Sequence, residues 1–193
     1  MDKVMKIKHF TIIMLAAATL VSCGTAKKAK APVQKPVQTY VQPGSDLLGK
    51  KNVLRAWAMG ISDSEMTARK KAMAAASADL AQMLQKAINT TIEDYTVSLT
   101  EGEVAKSKQF LSEKTKIVSN QVLTGVVPIF DQWEGKDAEG MYRNYIVLEL
   151  AGSDYIKKLV EEMNKNNMSG VKIDEKLLNE LFLKAINSGI ESR

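Results

Sequence analysis

One cysteine, Cys23, and one histidine, His9, are all that the 193 residues hold of these two types, and both fall within the first 23 positions. From Gly24 onward the chain has neither thiol nor imidazole. That removes His-dependent triads, thiolate nucleophiles and zinc sites built from the usual nitrogen and sulfur ligands. It also removes any disulfide within a domain, so a packed core must hold the fold, and roughly 150 residues can supply one. No phosphate-binding Gly-rich loop and no dinucleotide-binding turn occurs. Long apolar runs are lacking too: Thr11 to Leu20 is too short to span a bilayer as an ordinary helix. Positive charge is scarce where a nucleic-acid protein needs it. Of the net +5, Lys3, Lys6 and Lys8 against Asp2 give +2 and Lys27, Lys28, Lys30 and Lys35 give +4, leaving about −1 for the rest. The basic pI of 9.1 belongs to one end of the chain, and no nucleic-acid partner is expected.

What the first residues do contain is a positive start, the short apolar run, and then Leu20, Val21, Ser22 and Cys23. This has the form of a bacterial lipoprotein signal with its lipobox. The sulfur of Cys23 would take a diacylglycerol, and the small Ser22 before it suits the signal peptidase. The competing reading is an ordinary secretory signal with an incidental cysteine. Residues 1–22 are thus expected to be a signal peptide and Cys23 the lipidation site. One acyl chain anchors weakly, at about 0.8 kcal/mol per buried methylene, whereas several hold essentially permanently.

Residues 23–46 are rich in Ala, Lys, Pro, Val and Gln and are expected to form a flexible basic tether. Extended at roughly 3.1 Å per residue, some twenty residues would let a domain stand about 60 Å from the lipid. Its lysines either press against anionic lipid or merely keep a linker soluble. No run of acids follows Cys23, which points to an outer-membrane protein facing the periplasm.

The next stretch organises the rest. Leu54, Ala56, Ala58 and Gly60 alternate onto one side of a strand. Ala68, Ala72, Ala76, Leu80, Leu84 and Ile88 then recur at four-residue spacing along a helix, small members nearest the strand. Ser62 with Glu65 fits a capping box, and Ile61 with Met66 fits a hydrophobic staple. Across Asn89 to Thr100, Ile92, Tyr95 and Leu99 keep helical spacing, while Tyr95, Val97 and Leu99 also alternate like a strand; a continued or kinked helix is the favoured alternative. Thr100, Glu101 and Gly102 form the expected turn. Leu111, Val118 and Val122 mark a second amphipathic helix over 103–122, ended by Gly125.

Val126 to Trp133 and Met141 to Leu150 read as a hairpin around a polar turn, with Tyr142, Ile146, Leu148 and Leu150 facing the core and Tyr145 and Val147 opposite. Pro128 places its strand on an edge or at a kink. Ser153 or Asp154 is expected to cap a helix through Met163, and Asp174 a last helix with a wide apolar stripe. That stripe is expected to cover the far side of the sheet, where Val53, Trp57, Tyr145 and Val147 point away from the main helix. The alternative cover is a second copy of the chain.

A strand ending in Gly60, an Ala-rich helix passing through Ala68-Arg69 and Ala78-Asp79-Leu80-Ala81, then Leu123-Thr124-Gly125-Val126-Val127, Trp133 and a Tyr-rich closing strand together resemble the lipoprotein-20 family of small bacterial lipoproteins. The same module is similar to the N-terminal domain of flagellar assembly protein T. The resemblance implies an α+β fold, a small antiparallel sheet of about three strands on a long Ala-rich helix, with no established enzymatic activity. It covers residues 53–150. The domain itself is assigned to 47–152, with a helical insert at 91–122 by which this chain departs from the family, and a C-terminal helical extension at 153–193.

Trp57, Trp133, Tyr142 and Tyr145 are candidates for a binding surface for sugar or peptide; the plainer alternative is core or sheet surface. Glu93 with Asp94, Asp131 with Glu134, and Glu161 with Glu162 are the carboxylate pairs open to glycosidase chemistry, all in surface-type contexts. The expected function is a non-catalytic binding or scaffold module with no cofactor and no metal. Its partners would be the membrane through Cys23 and an envelope protein or a second copy. The alternatives are a carrier of a small apolar ligand and a carboxylate-based cell-wall hydrolase.

Overall fold

The computed structural model describes residues 41–165 and 170–191. The expected signal, Cys23 and most of the tether lie outside the described residues. The fold is α+β: strand β1 (Val53–Ser62), helices α1 (Glu65–Val97) and α2 (Glu101–Thr124), strands β2 (Pro128–Glu134) and β3 (Tyr142–Ala151), and helices α3 (Gly152–Lys165) and α4 (Glu175–Glu191). The strands form one antiparallel sheet in the order β1-β3-β2, with the long α1 packed across it.

The contact between β1 and α1 is made by the small side chains that the pattern singles out. Leu54, Ala56 and Ala58 on the strand and Ala68, Ala72, Ala76, Leu80, Leu84 and Ile88 on the helix are all buried. Gly60 is the point of closest approach. A Cβ there would lie 2.0 Å from the Ala68 carbonyl oxygen and 2.6 Å from the Ala72 nitrogen. Only glycine fits between strand and helix at that distance.

The helix starts later than the capping box implies. Ser62 is still in β1, paired with Tyr142 and buried, and its Oγ bonds Asp63 Oδ1 rather than a helix amide. Ser64 is the N-cap in an extended conformation, its carbonyl accepting from the Ala68 amide at 2.9 Å. Met66 is 68% exposed, so no staple with Ile61 forms. Pairing with β3 keeps Ser62 itself in the strand, and the cap falls two residues later, at Ser64.

Past Ile88, α1 continues unbroken to Val97, and the strand alternative for 89–100, carried by Tyr95, Val97 and Leu99, is thereby set aside. The Thr91 hydroxyl donates to the Ala87 carbonyl at 2.7 Å, which gives its polar group a partner inside the helix. Glu101 and Gly102 are already in α2, so the turn is shorter than expected, and Thr100 Oγ1 donates to Glu103 Oε2 across the first turn.

Pro128 opens the edge strand β2, where its missing donor does no harm, and a bulge separates it from Phe130. On β3, Ile146, Leu148 and Leu150 face α1 as expected, and Asn144 sits fully buried among them. Helix α3 follows β3 directly, so Ser153 and Asp154 lie in its first turn instead of capping it. Asp174 does cap α4, accepting from the Leu177 amide at 2.9 Å.

Helix α4 does not cover the far side of the sheet. It packs on α1 and α3, on the helical side, where Leu178, Phe182, Ala185 and Ile186 are buried and Phe182 stacks on Tyr155 with ring centroids 4.9 Å apart. The cover on the far face is the segment just before β1. Gly44, in a left-handed conformation, lies against Phe130 and Val147, Trp57 donates its indole N–H to the Pro43 carbonyl at 2.8 Å, and Arg55 bonds the Leu47 carbonyl. Residues 42–46, the last of the expected tether, are therefore part of the folded domain.

Candidate functional site

Sheet parity divides the four aromatic candidates. Trp57 and Tyr145 lie on the far face with ring centroids 6.2 Å apart and tilted by 34°. Trp133 is paired with Asn144 and so shares the α1 face, as does Tyr142. No single groove takes all four. Tyr145 is 2% exposed and its hydroxyl donates to Glu134 Oε2 at 2.8 Å, while Trp57 is half-buried. Tyr142 carries the Lys136 ammonium 5.3 Å from its ring centre.

The carboxylate pairs are also separated. Asp131 points to the α1 side, where it accepts from Arg69 Nε at 2.7 Å and from the Asn144 amide at 2.8 Å; Glu134 points to the opposite face. Asp94 faces Lys184 at 3.4 Å. Glu162 lies between Lys114, at 3.5 Å, and Lys165, at 3.4 Å, with the Lys114 side chain only 10% exposed. Glu161 turns into a different place, an open groove of about 380 Å³ between the end of α2, the end of β3 and α3. Glu149, Asp154, Lys157 and Lys158 also line it, above a floor of Val122 and Leu150. Glu149 is already engaged by Arg55 from the far face, Nε to Oε2 at 2.7 Å. The groove is thus of mixed charge, which suits neither a purely anionic nor a purely cationic ligand. A second crevice, of about 490 Å³, lies between α1, α4 and β1 and is lined by Leu54, Met83, Ala87 and Ile186 with Lys86 at its side.

Among the described residues, two groups have displaced pKa values, and both serve the scaffold. Asp137 closes the β2–β3 turn. The amide of Met141, then that of Glu139, and the nearby Arg143 guanidinium hold its carboxyl below the usual carboxylate range. Burial of Tyr155 between α2, α3 and α4 pushes its hydroxyl up to about 12, against a smaller opposing effect of its bond to Ser119. Among the described residues, no group of three or more His, Cys, Asp and Glu side chains is placed to hold a metal ion, and no helix is long and apolar enough to cross a membrane.

The far-face contacts of residues 42–48 and the Asp131–Asn144–Arg69 network were not anticipated. The Pro43-Gly44 turn dipeptide and a lone Asn144 within an apolar strand were the available signals.

These features define a small α+β domain whose described surface carries aromatic and ion-pair contacts on both faces of the sheet. The chain matches no family model, and no curated protein or solved structure gives a significant match.

Proposed function

We propose that this chain is a lipid-anchored lipoprotein of the bacterial cell envelope, held in the outer membrane on the periplasmic side through acylated Cys23. Its α+β domain acts as a non-catalytic binding or scaffold module. The observation that carries the reading is the run Leu20-Val21-Ser22-Cys23 placed directly after a basic start and a short apolar segment. The three-stranded sheet on a long Ala-rich helix supports the resemblance to the lipoprotein-20 family. The distribution of the carboxylates supports a binding role over hydrolysis, because Asp131 and Glu134 take opposite faces of one strand and Asp94 and Glu162 are committed to lysines. Its partner in this reading is an envelope protein or a second copy of the chain.

A carrier of a small apolar ligand is the second reading, favoured by the crevice between α1, α4 and β1, whose volume of about 490 Å³ falls in the range of small-molecule sites. Crosslinking the native protein in its own envelope and purifying it through this chain separates the readings. A reproducible protein adduct is the expected result. Co-purification of a lipid or other small apolar molecule without a protein adduct would favour the carrier, and release of cell-wall fragments by the pure protein would favour the hydrolase.

A further inference from the structure

The far face of the sheet addresses residues 42–48 in the manner in which a groove addresses a peptide. Two side chains reach main-chain carbonyls: Trp57 bonds that of Pro43, and Arg55, aligned by Glu149, bonds that of Leu47. Between them Gly44 crosses an apolar floor so closely that a Cβ would lie 2.7 Å from Phe130 Cδ1 and 3.1 Å from Val147 Cγ2, and its φ of +80° itself favours glycine. The segment is not a strand of the sheet. Its internal bonds are short-range turns, from Ser45 to Gln42, Leu47 to Gly44 and Leu48 to Ser45. It can therefore leave without breaking any strand pairing. On the opposite face, α1 is fixed by a row of side chains with no exposure, Ala68, Ala72, Ala76 and Leu80. Regions held by few buried contacts open at lower free energy than the core.

We infer that residues 42–48 are a releasable strap that fills a peptide-binding face in cis, and that this face takes a turn-forming segment of an envelope partner with the same chemistry. That segment presents two main-chain carbonyls bracketing a glycine, with an apolar residue where Leu47 now lies. The inference rests on the binding role proposed above and names the surface that performs it. The strap keeps Phe130 and Val147 from water until such a segment replaces it, and Trp57 reports the exchange through the partner of its indole N–H.

Hydrogen exchange on the full chain in detergent tests release without any substitution. The amides of Leu47 and Leu48 are expected to be at least roughly tenfold less protected than those of Ile146 and Leu148 in the central strand. Equal protection would mean that the strap opens only with global unfolding, and would overturn the inference. A second measurement uses the full chain with Trp133→Phe, so that Trp57 is the sole tryptophan, and with residues 42–48 replaced by Gly and Ser. A synthetic peptide of sequence 41–49 is expected to bind this chain saturably and to restore the original Trp57 emission, while binding the unreplaced chain at least roughly tenfold more weakly. Absence of binding to a replaced chain that keeps its helical circular dichroism and cooperative unfolding would refute a peptide-binding face. If the replaced chain does not fold, the exchange experiment alone decides. Failure of either leaves the lipid anchor untouched, since that depends on Cys23 and is read by acyl labelling.

Discussion

Gly60 sets how near β1 can come to α1 at Ala68 and Ala72, and Ala76 is buried further along the same row. With backbone atoms 2.0 and 2.6 Å from the position of a Cβ, Gly60→Ala must push strand and helix apart, and is expected to cost about 3 kcal/mol. Ala76→Leu, at a site with no exposure, is expected to cost about 1 to 3 kcal/mol, against about 0.5 kcal/mol or less for Lys71→Leu on the exposed face. Denaturant midpoints of the variants provide the check; equal midpoints for Ala76→Leu and Lys71→Leu would mean that this face is not packed. Tyr155 makes a prediction about pH. Its folded-state pKa of about 12 lies above the ordinary 10.0, so its neutral form contributes stability that is complete below pH 10 and disappears as pH rises through 12. Two pKa units correspond to roughly 2–3 kcal/mol. Tyr155→Phe, which has no proton to lose, is expected to be slightly less stable at neutral pH for want of the Ser119 bond, yet to lose that much less between pH 10 and 12. Parallel pH profiles for the two proteins would contradict the assignment.

Helix α4 shows how an element's face can be legible when its place is not. The stripe of Leu178, Phe182, Ala185 and Ile186 announces burial, but periodicity carries no information about which surface receives it. The receiving surface is made by Tyr155 on α3 and by α1, including Tyr95, whose hydroxyl accepts from the Asp174 amide at 2.8 Å. Phe182→Ala is therefore expected to destabilise the whole domain by about 3 to 5 kcal/mol while leaving native-state Trp57 fluorescence unchanged, because Trp57 lies on the other side of the sheet. A red-shifted Trp57 emission in the folded variant would instead place α4 over the far face.

The β1–α1 contact and the β2–β3 hairpin were legible because each rests on a regular spacing that only one secondary structure satisfies. The end of β1 was less so: Ser62 with Glu65 has the form of a cap, but pairing with Tyr142 keeps Ser62 in the strand and Ser64 takes the cap position. The strap was not legible at all. A Pro-Gly turn following Lys-rich chain has the composition of a linker, and its attachment depends on two donors, Trp57, singled out as a surface aromatic with no indication of what it meets, and Arg55, which reads as an ordinary strand residue. The division of the four aromatic candidates between two faces follows from strand parity, but only once the register of β2 on β3 is known.

Across the whole molecule, charge and chemistry are divided along the chain. The excess of lysine sits at residues 3–8 and 27–35, whereas the domain that follows is near neutrality and joins its elements by ion pairs such as Arg69–Asp131 and Lys114–Glu162. Exposed pairs of the first kind contribute at most about 1 kcal/mol, so the domain's stability should depend weakly on salt. In the proposed reading, attachment to lipid would rest on one atom, the sulfur of Cys23, the only thiol in the sequence. The most direct measurement of the account is metabolic labelling with palmitate and membrane fractionation of the wild-type chain beside Cys23→Ala. The wild type is expected to carry label and to sediment with the outer membrane, and Cys23→Ala to carry none and to leave that fraction. A Cys23→Ala chain that still incorporates palmitate and stays with the membrane would contradict anchoring through Cys23.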